Sequence, residues 1–221
     1  DYGRISHPPS TYVQEKLKVE VRQPAAERFI VEHGLNELLP GARRDLGIIV
    51  QGGIANVLLR GLDRVGVENE VPTLVLNVTH PLVPDQIVDF CRGKRAVLVV
   101  EEGAPDFIEQ AIHAILRKRD VGTRIHGKDV LPMAGEYTAE VVTEGLLSFF
   151  SQAANDIDLS RPRAHFEAVR AGRTEAQRLL GGPLPLRPPG FCVGCPERPV
   201  FSAIKLLERE VGKVHISSDI G

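Results

Sequence analysis

The stretch LGIIVQGGIANVLLRGLDRVG, residues 46–66, decides the fold. It opens with a continuous apolar run, Leu46–Val50, which is typical of a strand that is covered on both faces. A Gln-Gly-Gly turn follows, and apolar residues then recur at helical spacing as far as Gly66, which can cap the helix. A buried strand that leads directly into an amphipathic helix indicates an α/β domain with a mostly parallel sheet.

The same alternation of strand and helix continues along the chain. Short apolar runs predict further strands, and amphipathic stripes predict helices between them. We expect strands at 73–78, 96–100 and 123–126, and helices from Pro84 to Cys91, from Pro105 to Leu116 and around 141–150. The last strand is the most polar, so we place it at an edge of the sheet.

The pattern divides the chain into four segments. We expect an incoming linker at 1–24, with a short helix near 14–21, and an α/β domain at 25–153 that opens with a helix over 25–39. A connecting helix and a proline-rich linker follow at 154–190, since closely spaced prolines favour an extended connector. Residues 191–221 look like the start of a second α/β unit. Because neither end reads as a natural terminus, we expect a longer parent protein.

Composition excludes several classes of function. The formal net charge is −2, so the chain as a whole creates no field that attracts nucleic acid. Aromatic residues make up 5% of the chain, too few for a surface that stacks single-stranded bases. No apolar stretch approaches the length of a membrane helix, which is about 20 residues. Three cysteines do not form a secretory disulfide framework, so we expect a cytoplasmic protein.

A Cys-x-x-Cys pair, Cys192 and Cys195, lies where a loop enters a predicted helix. Two thiolates at this spacing can share one metal ion or one cluster iron, and the positive end of the helix favours anionic sulfur. The pair is only half of a zinc or iron–sulfur site, so incidental thiols are an equal reading. Cys91 lies on an apolar helix face and is expected to fill the core.

Several polar residues lie where predicted strands end, which is the edge at which α/β folds bind ligands. Gln51-Gly52-Gly53 can offer amides to a phosphate, although a tight turn with close packing is the favoured reading. For His80 we favour a structural role with a hydrogen bond to backbone. For Glu101-Glu102 we favour solvated loop charges or an interface contact over acid–base catalysis. The cations of 117–119 can complement a helix dipole, and we assign them no function.

Taken together, the motifs resemble the 2-oxoacid:ferredoxin oxidoreductase superfamily, and within it the indolepyruvate subgroup. The resemblance runs through most of the chain, and several motifs in the right order are more specific than any one alone. They are Thr79-His80-Pro81-Leu82 with Pro84, the run 97–102, the run His126–Pro132 with Gly135-Glu136, the run Arg187–Pro196 with Arg198, and Ser218-Asp219-Ile220-Gly221.

The resemblance implies a three-layer, transketolase C-terminal-like domain at 25–153, followed by the start of a thiamine-diphosphate-binding domain. It implies an enzyme that oxidatively decarboxylates indolepyruvate or a related aryl 2-oxoacid to the acyl-CoA and passes electrons through [4Fe-4S] clusters to ferredoxin. The implied cofactors are thiamine diphosphate with Mg²⁺ and the clusters. The implied partners are coenzyme A, ferredoxin, and a small beta subunit or a fused equivalent, in an oligomer with neither nucleic acid nor membrane. This piece by itself is expected to be an inactive junction region.

The site residues follow from the same resemblance. Cys192 and Cys195 would ligate the cluster, and Ser218, Asp219, Ile220 and Gly221 would contact the cofactor. No catalytic residue is assigned. The subgroup usually has Cys-Pro-Gly-Cys-Pro-His-Arg, whereas Val193 and Glu197 stand here in place of proline and histidine. That departure leaves cluster ligation possible and puts in doubt any acid–base role carried over to Glu197.

Two other functions are compatible with the residues alone. One is a non-enzymatic α/β interaction module with a metal knob at the Cys-x-x-Cys, for which His215 is a nearby further ligand. The other is a nucleotide-binding domain that uses Gly52-Gly53.

Overall fold

The computed structural model describes residues 7–183 and 197–215. The chain divides between Val169 and Arg170 into two compact units. The first unit holds the sheet, and the second holds the end of one long helix and all of the following helix.

The sheet has five strands in the order β1-β3-β2-β4-β5. Strand β1 runs antiparallel to β3, and the other neighbours are parallel. The strands are β1 (Glu37–Leu39), β2 (Leu46–Gln51), β3 (Thr73–Leu76), β4 (Ala96–Val100) and β5 (Arg124–His126). The stretch 46–66 therefore supplies the central strand, and the more polar 124–126 lies at an edge as predicted.

Eight α-helices accompany the sheet in the described residues. They are α1 (Ser10–Leu17), α2 (Gln23–Glu32), α3 (Ala55–Val65), α4 (Pro84–Cys91), α5 (Phe107–Lys118), α6 (Ala139–Ala153), α7 (Ser160–Leu179) and α8 (Glu197–Val211). A π-helical turn (Lys18–Arg22) joins α1 to α2, and a 3-10 turn (Gly52–Ile54) joins β2 to α3. No helix of the described part of the chain is both long enough and apolar enough to cross a bilayer.

Helices cover both faces of the sheet, and the strands alternate between two hydrophobic clusters. On one face, β-strand residues such as Ile48 and Leu98 pack with α3 and α6. On the other face, Ile49 and Val97 pack with α4 and α5. All five residues of β4 are buried, as a strand covered on both faces requires. The prediction of an α/β domain with a mostly parallel sheet is therefore confirmed.

The helix expected over 25–39 is shorter than predicted. Helix α2 ends at Glu32, and Gly34 adopts a left-handed backbone with φ of 58° that turns the chain. Residues Glu37–Leu39 then pair with β3 as an edge strand, held by Asn36, whose side-chain oxygen accepts a hydrogen bond from the Val78 amide. The prediction was wrong here because three leucines at positions 35–39 fit a helical stripe and a strand equally well.

The start of the described chain is helical over more residues than expected. The short helix expected near 14–21 is part of a run of α1, the π-helical turn and α2. Pro24 does not end this run: the residues before it are helical, and the Gln23 amide donates to the Lys18 carbonyl in the π-helical turn that precedes it. The domain limits of 25 and 153 stay a prediction.

The second unit contains α8, which the sequence predicted after the Cys-x-x-Cys. Gly212 ends this helix with a φ of 84°, and its amide donates to the Glu208 carbonyl. Helix α7, predicted as a connecting surface helix, is exposed along nearly its whole length, with Phe166 as its buried residue.

Candidate functional site

The residues that the family resemblance assigns to cofactors all lie outside the described residues. They are Cys192, Cys195, Ser218, Asp219, Ile220 and Gly221. The cluster and cofactor assignments therefore stay predictions. Within 7–183 and 197–215, no group of His, Cys, Asp and Glu side chains is arranged to hold a metal ion.

The described residues bring several sequence motifs together at the carboxyl edge of the parallel strands. The chain leaves β2 toward β3 on one side and later returns to β4 on the other side, so the strand order reverses between β2 and β4. Such a reversal opens a crevice at the strand ends. At this edge Gln51 joins the end of β2 to the residues after β4, since its side-chain oxygen accepts a hydrogen bond of 2.8 Å from the Glu102 amide.

Glu101, the residue after β4, is buried, with 4% of its surface exposed. Both oxygens of its carboxylate accept hydrogen bonds from the Ile108 amide, at 2.9 and 3.0 Å, and one also accepts from the Glu109 amide at 3.0 Å. These amides belong to the first turn of α5, where backbone donors lack helical partners and the dipole favours negative charge. Glu101 therefore anchors the start of α5 to the end of β4.

Lys128, two residues after β5, ties two loops together. Its ammonium donates to the Glu101 carbonyl at 2.5 Å, the Gly103 carbonyl at 3.0 Å and the Tyr137 hydroxyl oxygen at 2.8 Å. The ammonium also lies 4.8 Å from the centre of the Tyr137 ring, within range of a cation–π contact. Burial lowers the pKa of Lys128, and four surrounding carboxylates oppose that shift.

Tyr137 completes the link between the loop after β5 and the loop after β4. Its side chain is almost wholly buried, and its hydroxyl donates to the Pro132 carbonyl at 2.6 Å. Its amide donates to the Glu102 carboxylate at 2.7 Å. Burial, followed by the nearby carboxylates, raises the pKa of Tyr137 to about 12, so the hydroxyl keeps its proton and remains a donor at neutral pH.

His126 fixes the turn that leads to Lys128. The ring is 1% exposed, its Nδ1 lies 2.7 Å from an Asp129 carboxylate oxygen, and its edge meets the Phe149 ring. The other Asp129 oxygen accepts a hydrogen bond from the Gly127 amide. Burial raises the pKa of Asp129, but the hydrogen bonds from Gly127 and His126 outweigh it, so the pKa is lowered. Glu109 accepts from the Lys128 amide, so the turn is also bonded to α5.

These contacts join the motifs that carry the family resemblance, Glu101-Glu102 and His126–Pro132, into one hydrogen-bonded network, here called the strand-end network. The favoured reading of Glu101-Glu102 as solvated charges was wrong for Glu101, because its carboxylate is buried and saturated by backbone donors. A carboxylate occupied in this way is a poor general base. The network instead positions loops and rigidifies the edge of the sheet.

The turn at Gly52 supports the favoured reading of close packing. A side chain added at Gly52 would collide with Asn77, whereas Gly53 has open space around it. Asn77 in turn donates to the Leu35 carbonyl and to Glu37, which ties β3 to the segment around β1. An open cleft of about 540 Å³ lies above this turn, with Glu102 on its rim. An acidic rim disfavours a phosphate, so the nucleotide-binding alternative gains no support here.

The expectation for Cys91 is confirmed, whereas that for His80 is not met. His80 is exposed, and no hydrogen bond of its ring is found within the described ranges, so the expected backbone partner is not observed. It lines a small cavity of about 270 Å³ with Lys18 and Arg22. Cys91 is fully buried as expected, and burial raises the pKa of its thiol to about 12.

The sequence assigned no role to Lys128, Tyr137 or Glu109, although Lys128 lies within the motif His126–Pro132. Their roles depend on contacts between residues 19 to 35 positions apart in the chain. A lysine in the turn after a strand is usually solvated, so its position alone did not predict this role.

The chain is similar to proteins named indolepyruvate oxidoreductase subunit IorA. That of Methanothermobacter marburgensis is 29% identical over 200 residues, 90% of this chain and 28% of that protein. The Methanothermobacter thermautotrophicus protein is 27% identical over 98% of this chain and 30% of its own length. The Archaeoglobus fulgidus protein is 30% identical over 80% of this chain and 26% of its own length. The resemblance to the indolepyruvate subgroup is therefore confirmed.

The chain spans about 30% or less of the length of these curated relatives. No family model matches it. Among solved structures, a 2-oxoglutarate:ferredoxin oxidoreductase from Magnetococcus marinus gives a TM-score of 0.43 at 15% identity, over 65% of this chain and 24% of that one. A split-gene transketolase gives 0.42 at 18% identity, over 54% and 42%.

Proposed function

We propose that this chain is part of the large, thiamine-diphosphate-dependent subunit of an indolepyruvate:ferredoxin oxidoreductase. The observation that carries the proposal is its similarity to IorA subunits, at 27–30% identity over 80–98% of the chain. The described residues are compatible with it, because their layered α/β fold agrees with the fold that the family resemblance implies.

The proposed reaction is the oxidative decarboxylation of indolepyruvate or a related aryl 2-oxoacid to the acyl-CoA, in the cytoplasm, with electrons passed through [4Fe-4S] clusters to ferredoxin. Thiamine diphosphate with Mg²⁺ supplies the chemistry at the carbonyl carbon. Cys192 and Cys195 are the proposed cluster ligands, and the run Ser218–Gly221 is the proposed cofactor contact. A small beta subunit, or a fused equivalent, completes the oligomer.

Within that enzyme, we assign the described α/β domain the role of scaffold. Its polar groups at the strand ends bond to one another: Glu101 holds α5, and Lys128 holds the loops on either side. The bonded arrangement of these groups supports a rigid platform over a second reaction centre. The chain by itself is accordingly proposed to be inactive.

The experiment that tests the function uses the full-length protein that carries this chain, coexpressed with its partner subunit and purified without oxygen. Reduction of methyl viologen is followed with coenzyme A and each of three 2-oxoacids: indolepyruvate, phenylpyruvate and 2-oxoglutarate. The proposal predicts reduction with the aryl substrates and little with 2-oxoglutarate. Dye reduction with none of them would refute the function, and reduction with 2-oxoglutarate alone would refute the substrate class.

A second measurement addresses the cysteines. Iron and visible absorption are determined for the wild-type enzyme and for the Cys192→Ser and Cys195→Ser variants, with Cys91→Ser as the matched control because Cys91 lies in the core. Loss of one cluster's iron in the first two variants, and retention in the control, is expected. Equal iron content in all four proteins would remove the pair from the ligand set.

A further inference from the structure

A helical arm without any buried residue precedes the sheet. It consists of α1 and the π-helical turn, residues 10–22, and it continues without a break into α2. The three elements have 8, 5 and 10 residues, so the whole helical run is about 35 Å long. Five large apolar side chains of the arm are largely exposed: Tyr12, Val13, Leu17, Val19 and Val21. So much exposed apolar surface on one short segment indicates a contact with another polypeptide segment.

One face of the helical run carries the same pattern of residues twice. The pattern is apolar, acidic, basic and apolar at i, i+3, i+4 and i+7, a spacing that places all four residues on one face. On the arm these residues are Tyr12, Glu15, Lys16 and Val19. On α2 they are Pro24, Glu27, Arg28 and Val31. The step of five residues from Val19 to Pro24 crosses the π-helical turn, whose hydrogen bonds join i to i+5, so both sets lie on the same side of the run.

The α2 part of this face forms one wall of an apolar groove of about 740 Å³, and α4 forms the other wall. Leu38 of β1 and Leu74 of β3 also line the groove, and 65% of the Leu38 surface is exposed. The charged side chains around the groove are Glu27, Glu32, Asp85, Asp89 and Arg28. An apolar groove beside a helix is the kind of surface that accepts a second, amphipathic helix.

The arm does not cover the groove of its own chain. Because the arm and α2 form one continuous helical run, the arm extends away from α2 and does not fold back along it. The charges of the repeated pattern also lack partners. Within residues 7–183 and 197–215, Glu15, Glu27 and Arg28 form no ion pair, and Lys16 has only an exposed one, at 4.0 Å from Glu20.

The pattern is complementary to itself when two such runs lie antiparallel. With a two-fold axis between residues 21 and 22, Tyr12 of one copy faces Val31 of the other, and Val19 faces Pro24. The same arrangement places Glu15 opposite Arg28, and Lys16 opposite Glu27. A two-fold axis makes each of these contacts twice. A parallel pair in register would instead place like charges together, so the pattern specifies the antiparallel direction.

We propose that residues 10–32 pair with the same residues of a second copy of this chain, so that the arm of each copy fills the groove of the other. The apolar contacts at Tyr12 and Val19 remove exposed surface from water, and the two kinds of charge pair fix direction and register. The exposed apolar arm, the open groove and the repeated pattern then have one common explanation. This interaction concerns the surface of the chain and does not depend on the proposed reaction.

The first test is a disulfide between copies of the full-length protein. Two copies with different affinity tags are coexpressed, one with Tyr12→Cys and the other with Val31→Cys, and are oxidised mildly. The matched control replaces Tyr12→Cys by Leu17→Cys. Leu17 is also exposed, but it lies five residues from Tyr12 and therefore on the opposite side of the arm. All other cysteines are kept in both pairs, so the control corrects for their background.

The second test measures the yield of this disulfide after charge reversal. Lys16→Glu in both copies, or Glu27→Lys in both, turns an attractive contact into a repulsive one at two places, and the yield should fall about tenfold. The yield should recover when both substitutions are combined, and also when one copy carries Lys16→Glu and the other Glu27→Lys. In one copy these residues lie about 16 Å apart along the helix, so a contact within a copy cannot cause the recovery. Lys18→Glu, a reversal at an exposed position off the face, should leave the yield unchanged.

The proposal is supported by a disulfide-linked pair of tagged copies that forms with Tyr12→Cys, not with Leu17→Cys, and that follows the predicted loss and recovery. A link no stronger than the control overturns it; this is the result expected if another part of the protein, or a different partner, covers the arm. Equal losses for Lys16→Glu and Lys18→Glu, or no recovery in the combined variants, also overturn it. Because disulfide formation needs no substrate, these results are independent of whether the enzyme oxidises a 2-oxoacid.

Discussion

Replacing Lys128 by methionine should destabilise the domain, because the Lys128 ammonium bonds the loops after β4 and β5 to each other. The ammonium donates hydrogen bonds to the Glu101 carbonyl, the Gly103 carbonyl and the Tyr137 hydroxyl at 2.5, 3.0 and 2.8 Å. Methionine keeps the aliphatic bulk and removes all three, together with a longer hydrogen bond of 3.4 Å to the Pro132 carbonyl. Hydrogen bonds to a charged group contribute about 1.5–3 kcal/mol each, but water can reach part of this site, so the loss expected for Lys128→Met is roughly 2–4 kcal/mol.

The assay is urea unfolding of the wild-type chain and the variant, followed by far-ultraviolet circular dichroism. The midpoint should fall while the slope with urea stays the same, since the surface exposed on unfolding is unchanged. Lys118→Met is the matched control: Lys118 is exposed at the end of α5, and its loss should change the free energy of unfolding by less than about 0.5 kcal/mol.

A loss below about 1 kcal/mol for Lys128→Met, or an equal loss for Lys118→Met, would refute the reasoning, because the three bonds would then contribute no more than an exposed cation does. A double-mutant cycle with Tyr137→Phe refines the test. The two side chains are in contact, so their effects should be non-additive by about 0.5–3 kcal/mol. Strict additivity would mean that the lysine and the tyrosine act separately.

Three further predictions concern stability. Glu101→Gln should lower the free energy of unfolding by about 1–2 kcal/mol, because an amide cannot accept with both of its polar atoms; an unchanged melting temperature would show that Glu101 does not anchor α5. Gly41→Ala should lower the free energy of unfolding by about 2 kcal/mol or more, since the added methyl would overlap the backbone at 70–72. Gly53→Ala has open space and should leave the free energy of unfolding nearly unchanged. Similar melting temperatures for the two variants would contradict close packing at Gly41. The hydrogen bond from Arg43 lowers the pKa of Asp45 to about 2. The Asp45 carboxylate therefore stabilises the fold fully above its unfolded pKa of roughly 3.9, and this contribution is lost as the pH falls through about 2. An Asp45→Asn variant whose acid unfolding curve coincided with that of the wild type would contradict a stabilising role of Asp45.

The centre of the fold could be predicted because buried strands and helices show a characteristic pattern of apolar residues in the local sequence. Strand β4, covered on both faces, is apolar at every position, and β2 is apolar up to Gln51. The helices between them show a single apolar face. These patterns depend on neighbouring residues only, so a sequence is enough to find them.

Strand β1 and the strand-end network could not be predicted in the same way. The leucines of β1 suit two periodicities, and pairing with β3, more than 30 residues away, decides between them. In the sequence, Lys128 does not differ from an exposed surface lysine; its role depends on the carbonyls of Glu101 and Gly103, in the loop after β4, which lie beside it in the fold. Its role is therefore a property of the tertiary structure. The cofactor residues beyond Leu186 were proposed from family resemblance, and they stay proposals.

The family motifs of the described domain have a structural explanation that the sequence did not supply. Lys128, in the motif His126–Pro132, donates to the Glu101 carbonyl, so the two motifs are bonded to each other across the carboxyl edge of the sheet. A motif can thus mark a shared scaffold as readily as a shared reaction centre, and here the contacts favour the scaffold.

The assignment to a thiamine-diphosphate-dependent oxidoreductase is tested most directly by calorimetric titration of the full-length protein, purified without oxygen, with thiamine diphosphate in the presence of Mg²⁺. We predict saturable binding at one site per large subunit, retained in the Lys128→Met variant below its melting temperature. A full-length, folded protein that releases no heat and takes up no thiamine diphosphate would contradict the account.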